Sequence, residues 1–157
     1  MECADDNAPV GDVTHQDCLD FARWLTAKEH RKYDLPTEAQ WEYAARGGLV
    51  GKDYPWGNED PDGRAVFGAI QTEPVGSYAP NAYGLYDMAG NVGEFVKEAY
   101  SRYSAESKTD PIGPLKGDFV VARGGGLQYE LKVYERDLIP SNMKIPDVGF
   151  RLVCQGQ

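Results

Sequence analysis

The chain has 157 residues, the size of one domain with a single hydrophobic core, so we predict one domain over residues 1–157. Its formal net charge of −9 argues against a nucleic-acid partner, because phosphate binding depends on Lys and Arg. No apolar run has the length of a membrane span, so we expect no membrane insertion. Eighteen glycines and ten prolines predict long ordered loops.

The first helix signal lies near the N-terminus. Thr14 is followed three residues later by Asp17, a pair typical of a helix cap, and it predicts a helix over about residues 15–28. Four apolar residues recur there at the spacing of one buried helix face, namely Cys18, Phe21, Ala22 and Leu25, and Trp24 adds to them. We expect His15 to lie at the surface.

A second helix signal follows a proline. Thr37 is the predicted cap, Gln40 occupies the third helical position, and the glycine pair 47–48 ends the helix. Trp41 should then face the core. Residues 119–122 (FVVA) predict a buried strand.

Residues 81–95, NAYGLYDMAGNVGEF, combine glycine turns with apolar and acidic side chains. Gly84 and Gly90 permit tight or left-handed turns. Asp87 and Glu94 could then join backbone carbonyls in an oxygen-rich loop of the kind that binds calcium. Spacing alone leaves open the alternative that both acids are simply solvated.

This stretch resembles the GLYDM-GNVWEW signature of the formylglycine-generating enzyme (sulfatase-modifying factor) family. Further matching segments occur in the family's order: Pro9-Val10, LPTEAQWEYAARGG at 35–48, YPWGN at 54–58, PVGSYAPN at 74–81, VARGG at 121–125 and VGFRLV at 148–153. The resemblance implies an α+β, C-type-lectin-like fold with two helices, short antiparallel strands and much irregular loop.

The resemblance also implies a structural Ca²⁺ site. Matched residue by residue, its ligands are the Asp87 side chain, the Gly90 and Val92 carbonyls and the Glu94 carboxylate. The two tryptophans of the family signature are replaced here by Gly93 and Phe95, so we expect a rebuilt pocket wall beside the site.

The family's oxidases hold copper through two cysteines that follow the RGG segment, and this chain lacks them. The matching positions fall at or near Tyr129 and Tyr134, while the cysteines of this chain are Cys3, Cys18 and Cys154. Phenol oxygens do not replace a thiolate pair as copper ligands, so we expect no copper and no enzyme activity. Two alternatives stay open: an oxidoreductase of the formylglycine-generating or sulfoxide-synthase type, and a structural lipoprotein-type component of a surface machine.

We therefore predict a non-catalytic protein that binds a protein or cell-surface ligand through a face at about residues 127–147. Its resemblance to diversity-generating-retroelement variable proteins implies that this face is variable. The candidate contact residues are Leu127, Tyr129, Glu130, Lys132, Tyr134, Arg136, Asn142 and Lys144. Tyr and Arg suit such a role because they combine rigid contact area with hydrogen-bonding groups. The alternative is that the apolar residues of this segment pack it onto the core.

Some members of the family join the first helix to the final strand by a disulfide, at positions matching Ala22 and Leu152. Cys18 lies one helical turn before the first position and Cys154 two residues beyond the second. The resemblance thus makes Cys18–Cys154 a candidate disulfide. If bonded, it would favour the cell surface or the extracellular space. The sequence indicates neither the ligand nor the oligomeric state.

Overall fold

The structure, a computed structural model, describes residues 7–127 and 130–154. Within these residues the chain forms two helices and six short strands joined by long irregular loops. In chain order they are α1 (His15–Glu29), β1 (Tyr33–Asp34), α2 (Glu38–Arg46), β2 (Gly93–Ala99), β3 (Phe119–Arg123), β4 (Asp137–Pro140), β5 (Val148–Phe150) and β6 (Val153–Cys154). The predicted α+β class is confirmed. Neither described helix is both long and apolar enough to cross a bilayer.

Both helices begin at their predicted caps. The Thr14 side chain accepts a hydrogen bond of 3.1 Å from the Asp17 amide, and the Asp17 carboxylate accepts one of 2.9 Å from the Thr14 amide. Thr37 and Gln40 form the same reciprocal pair at the start of α2. These bonds satisfy amides that a helix start leaves without an intrahelical partner. Gly47 ends α2 with φ of 54°, a left-handed conformation that glycine adopts at little cost.

Four strands form the central sheet in the order β4-β3-β2-β5, and β1 pairs with β6 in a separate ladder. β3 is antiparallel to both β2 and β4, whereas β5 is parallel to β2. The prediction of antiparallel strands is therefore wrong for β5. The chain can place β5 parallel because the long connection through β3 and β4 returns it to the start of β2, which a tight hairpin cannot do.

The sheet is buried on both faces. Successive residues of β2 point to opposite sides, so Phe95 joins one core cluster with Cys18 and Leu35, while Val96 joins another with Trp41. The predicted inward orientation of Trp41 is confirmed, because its side chain is buried against the second cluster. The sheet thus holds α1 on one side and α2 on the other.

The predicted buried face of α1 needs correction. Cys18 and Ala22 are buried, but Phe21 and Trp24 are 44% and 52% exposed. His15, predicted at the surface, is buried instead, and its Nε2 lies 2.8 Å from the Val96 carbonyl. α1 contacts the core through His15, Cys18 and Ala22, which lie about one turn apart. The two larger aromatic rings remain at the edge of that contact.

The predicted Cys18–Cys154 disulfide is absent, and both residues are thiols. Cys18 points into the core, where its Sγ donates to the Thr14 carbonyl at 3.2 Å. Cys154 lies on β6, opposite Tyr33, with an exposed side chain. The prediction was wrong because it placed both side chains on one side of the helix–strand contact. Cys3 lies outside the described residues.

Gly90 provides a direct test of the close packing in the loop before β2. Its φ is 80°, and an added Cβ would lie 2.4 Å from the Val66 carbonyl oxygen. Gly84 in the same loop has φ of 76° but open space around it. We expect Gly90→Ala to lower the free energy of unfolding by about 3 kcal/mol or more, and Gly84→Ala by about 1–2 kcal/mol. Chemical denaturation measures both, and equal losses would contradict the close approach.

Asp137 at the start of β4 predicts a pH dependence of stability. Burial, together with the charges of Glu135 and Asp147, raises its pKa to about 6. The folded state then binds a proton that the unfolded chain releases near pH 4, so this stabilisation is present below pH 4 and is lost as the pH rises through about 6. Asp137→Asn should therefore stabilise the domain by about 1–3 kcal/mol at pH 7.5 and by almost nothing at pH 4, as measured by thermal unfolding. A gain that is equal at both pH values would contradict the raised pKa.

Candidate ligand-binding cleft

A cleft of about 650 Å³ lies between α2, the loop at residues 101–113 and the segment that leads into β4. We call it the α2 cleft. Its walls include Glu38, Glu42 and Tyr43 from α2, Tyr103 and Ile112 from the loop, and Tyr134 and Arg136 from the third segment.

Two carboxylates that line the cleft are held by Arg123, the last residue of β3, whose side chain is fully buried. Its Nη1 donates to the Glu38 carboxylate at 2.7 Å and its Nη2 to the Glu42 carboxylate at 2.6 Å. Nη2 also donates to the Val133 carbonyl. The guanidinium lies 5.5 Å from the centre of the Trp41 ring. One arginine thus ties the helix, the sheet and the segment before β4 together.

A second arginine, Arg136, binds the same Glu38 carboxylate as Arg123. Its guanidinium lies 4.9 Å from the ring centre of Tyr100 and 4.2 Å from that of Tyr103. Its Nη2 donates to the Glu38 carboxylate at 2.9 Å, and its Nη1 donates to the Ser101 carbonyl at 3.0 Å. The Tyr103 hydroxyl donates to Glu38 as well, at 2.8 Å. These contacts attach the 101–113 loop to α2.

The contacts of this network shift the pKa values of two of the groups that line the cleft. The Tyr103 hydroxyl is partly shielded from water where it meets Glu38, although the residue as a whole is largely exposed, and this desolvation raises its pKa. The hydrogen bond to Glu38 raises that pKa further. Burial also raises the pKa of Glu98, which accepts a hydrogen bond of 2.9 Å from the Glu38 amide at the start of α2. These hydrogen bonds and ion pairs hold the walls of the cleft in place.

Exposed aromatic and apolar side chains lie at the rim, beside charged ones such as Arg102 and Lys108. Tyr43, Tyr103 and Ile112 are 68%, 67% and 64% exposed, and Tyr134 is also exposed. The Tyr43 ring packs on Tyr83, with 5.7 Å between ring centres. Exposed aromatic groups around one concave site are the contact residues expected of a binding surface.

The structure divides the predicted face at residues 127–147. Tyr134 and Arg136 line the α2 cleft. Lys132 lies beside Tyr134, with its Nζ 5.9 Å from the ring centre. Glu130 is exposed but lies before these residues, at the turn packed on Gly125. Part of the segment therefore does contribute to a concave surface.

Other predicted contact residues lie elsewhere. Leu127 is buried, so it is not a surface contact. Its backbone is held in place on both sides, because its amide donates to the Asp147 carboxylate and its carbonyl accepts from the Gly68 amide. Asn142 lines a different groove beside α1, and Lys144 lies 3.8 Å from Asp17 on that helix. Tyr129 lies outside the described residues. The alternative reading, that apolar residues pack this segment down, holds for Val133 and Ile139, which are both buried.

The residues predicted to bind calcium lie in the loop before β2 and at the start of β2, and their two carboxylates have other partners. The Asp87 carboxylate accepts from the Gly76 amide at 2.7 Å. Gly90 packs against the Val66 carbonyl, and Val92 is buried. The Glu94 carboxylate is paired with Arg151. No cluster of three or more His, Cys, Asp or Glu side chains suited to a metal occurs among the described residues. The calcium site stays a prediction.

The sequence predicted Tyr134 and Arg136 as contact residues but did not place Glu38, Glu42 or Arg123 at a cleft. Glu38 and Glu42 have the pattern of acids at a helix start, which usually serve only the helix dipole. Arg123 lies in a glycine-rich segment with no charge pattern of its own. The spacing of four residues between Glu38 and Glu42 was the available sequence signal for a shared partner, because it places both carboxylates on the same helix face.

Comparison with known proteins places the chain in a family. The model of the sulfatase-modifying factor enzyme 1-like domain matches residues 2–155. The chain is 44% identical over 137 residues to the formylglycine-generating enzyme of Streptomyces coelicolor, covering 76% of this chain and 42% of that protein. It is 39% identical over 158 residues to the inactive Cα-formylglycine-generating enzyme 2 of Bos taurus, covering 91% of this chain and 49% of that protein. The chain therefore spans less than half the length of these two relatives.

Among solved structures, Treponema denticola variable protein 1 matches with a TM-score of 0.89 and 26% identity, covering 96% of this chain and 72% of that one. The expected C-type-lectin-like fold is thereby confirmed. Since the family model covers nearly the whole chain, the protein belongs to the sulfatase-modifying factor enzyme 1-like family.

Proposed function

We propose that this domain is a non-catalytic binding module that contacts a protein or cell-surface ligand through the α2 cleft. The observation that carries the proposal is the set of exposed side chains around one concave site, Tyr43, Tyr103, Tyr134 and Ile112. Such groups add contact area at a small cost in conformational entropy, since tyrosine has few rotatable bonds.

The rigidity of the cleft supports the same role. The buried Arg123 network and the stacked Arg136 hold the walls in place before any ligand arrives. A site that is already shaped loses less entropy on binding than one that must order itself. The similarity to a protein called variable protein 1 supports a scaffold of this kind with a changeable rim.

The distribution of sulfur argues against oxidase chemistry at this site. Cys18 lies in the core and Cys154 on β6, so neither is in the α2 cleft. A copper ion held as in the family's oxidases needs a thiolate pair, and the cleft offers phenol, carboxylate and guanidinium groups instead.

A second candidate function is a formylglycine-generating oxidoreductase. The observation that favours it is the 44% identity to an enzyme of that name. The inactive relative, at 39% identity, shows that the same degree of similarity also occurs without that activity. Sequence identity therefore does not separate the two functions, and the lack of a thiolate pair in the α2 cleft is what supports the non-catalytic one.

Mutation of the rim tests the binding function. Tyr43→Ala and Tyr134→Ala should each weaken ligand binding by about tenfold or more, because aromatic residues at the centre of an interface carry much of its energy. The ligand is first captured from neighbouring or host surface proteins with the wild-type domain as bait. Its affinity for each purified variant is then measured by biolayer interferometry.

Two matched controls locate the binding surface. Trp24→Ala removes an exposed aromatic group on α1, and Lys144→Ala removes a predicted contact that lies away from the cleft. Both variants should bind as tightly as the wild type. Loss of binding in the control variants with none in the cleft variants would contradict the α2 cleft as the site.

Copper loading separates the two candidate functions. We expect the domain, incubated with Cu(I) and a thiol peptide, to consume oxygen no faster than a protein-free blank, because the cleft has no thiolate ligands. An oxygen electrode measures this, with the Streptomyces coelicolor enzyme as the positive control. Oxygen uptake that depends on both copper and this domain would support the oxidoreductase instead.

A further inference from the structure

The Glu94 carboxylate has a cationic partner supplied by the chain itself. Arg151, just after β5, donates from Nε to Oε2 and from Nη2 to Oε1, both at 2.6 Å. The Trp41 indole donates to Oε2 at 2.6 Å as well. Glu94 is only 5% exposed, so these three bonds occupy both oxygens in a site with little access to water.

The same guanidinium contacts the backbone of the preceding loop. Arg151 Nη2 donates to the Tyr86 carbonyl at 3.0 Å and lies 3.4 Å from the Asp87 carbonyl. One carboxylate and two carbonyl oxygens thus surround a single positive group. This is the type of oxygen cage that otherwise holds a hard cation.

The remaining side chains of the loop face other groups. The Asp87 carboxylate turns to the Gly76 amide. Asn91 is buried and forms two hydrogen bonds with the backbone of Glu73, one from its amide nitrogen and one to its amide oxygen, each 3.0 Å. A divalent cation at Glu94 would have to displace or approach the Arg151 guanidinium, which carries the same sign of charge. With both carboxylates engaged by groups of the chain itself, the side chains of Asp87 and Glu94 do not fit the calcium ion that the family resemblance implies.

We propose that the Arg151 guanidinium is the internal cation of this loop and takes the place of Ca²⁺ there. The domain then holds its central loop without a divalent ion. A bidentate arginine–carboxylate pair supplies charge and orientation together, and Arg keeps its charge at any physiological pH.

The position of Arg151 makes this replacement accessible to experiment. The residue borders a groove of about 580 Å³, whose other walls include Val10, Val75 and Tyr86. Removing the guanidinium would leave Glu94 buried with its charge uncompensated, and the groove would let a small cation reach the space. The thermal stability of an Arg151→Ala variant should therefore depend on ions that do not affect the stability of the wild type.

The test compares thermal unfolding of three proteins in EDTA and in millimolar Ca²⁺. The wild type should unfold at the same temperature in both. Arg151→Ala should unfold about 6–20 °C lower in EDTA, because a buried charge loses its partner, and should recover part of that loss in Ca²⁺. Arg23→Ala, which removes an exposed arginine paired with Asp20, should resemble the wild type in both conditions.

Two results would overturn the proposal. One is a wild-type domain that Ca²⁺ stabilises or that binds Ca²⁺ in isothermal titration calorimetry. The other is an Arg151→Ala variant that is no less stable than Arg23→Ala. If Arg151→Ala does not fold, Arg151→Lys provides the comparison, since it keeps the charge but loses the two-bond fork. The wild-type calcium titration needs no variant.

Discussion

The buried Arg123 is the interaction on which the rest of this structure depends. It ends β3, lies against Trp41, and pairs with two carboxylates on α2. Burial alone would lower its pKa, but its hydrogen bond and ion pairs with Glu42 and Glu38 raise that pKa on balance. Loss of either side would leave a buried charge without its partner, at a cost of about 3–5 kcal/mol. Because the pairs cross from sheet to helix, they also set the width of the α2 cleft.

A similar pair contacts the same tryptophan. Glu94 of β2 receives the Trp41 indole and the Arg151 guanidinium. The two arginines thus join five segments of the chain: α2, the loop before β2, β2 itself, β3 and the residue after β5. These charged contacts hold the long irregular loops of the molecule in place. The described residues form no disulfide that could do so.

The features predicted well from sequence are those determined by neighbouring residues. The caps at Thr14 and Thr37 depend on hydrogen bonds across three residues, and the strand at β3 depends on a local apolar run. The features predicted poorly depend on distant contacts. His15 is buried because its ring finds the Val96 carbonyl, 81 residues away, and Leu127 is buried because its backbone bonds to Asp147. The α2 cleft combines residues of α2, a loop and the approach to β4, which no spacing rule connects.

The central proposal is that the α2 cleft is the ligand-binding surface of this domain. Hydrogen–deuterium exchange of the domain, with and without its captured ligand, tests that claim most directly. The α2 cleft predicts slower exchange on binding at residues 38–46, 101–113 and 131–136, with no change near residues 142–144. Protection confined to residues 142–144 and the start of α1, with unchanged exchange around the cleft, would contradict it.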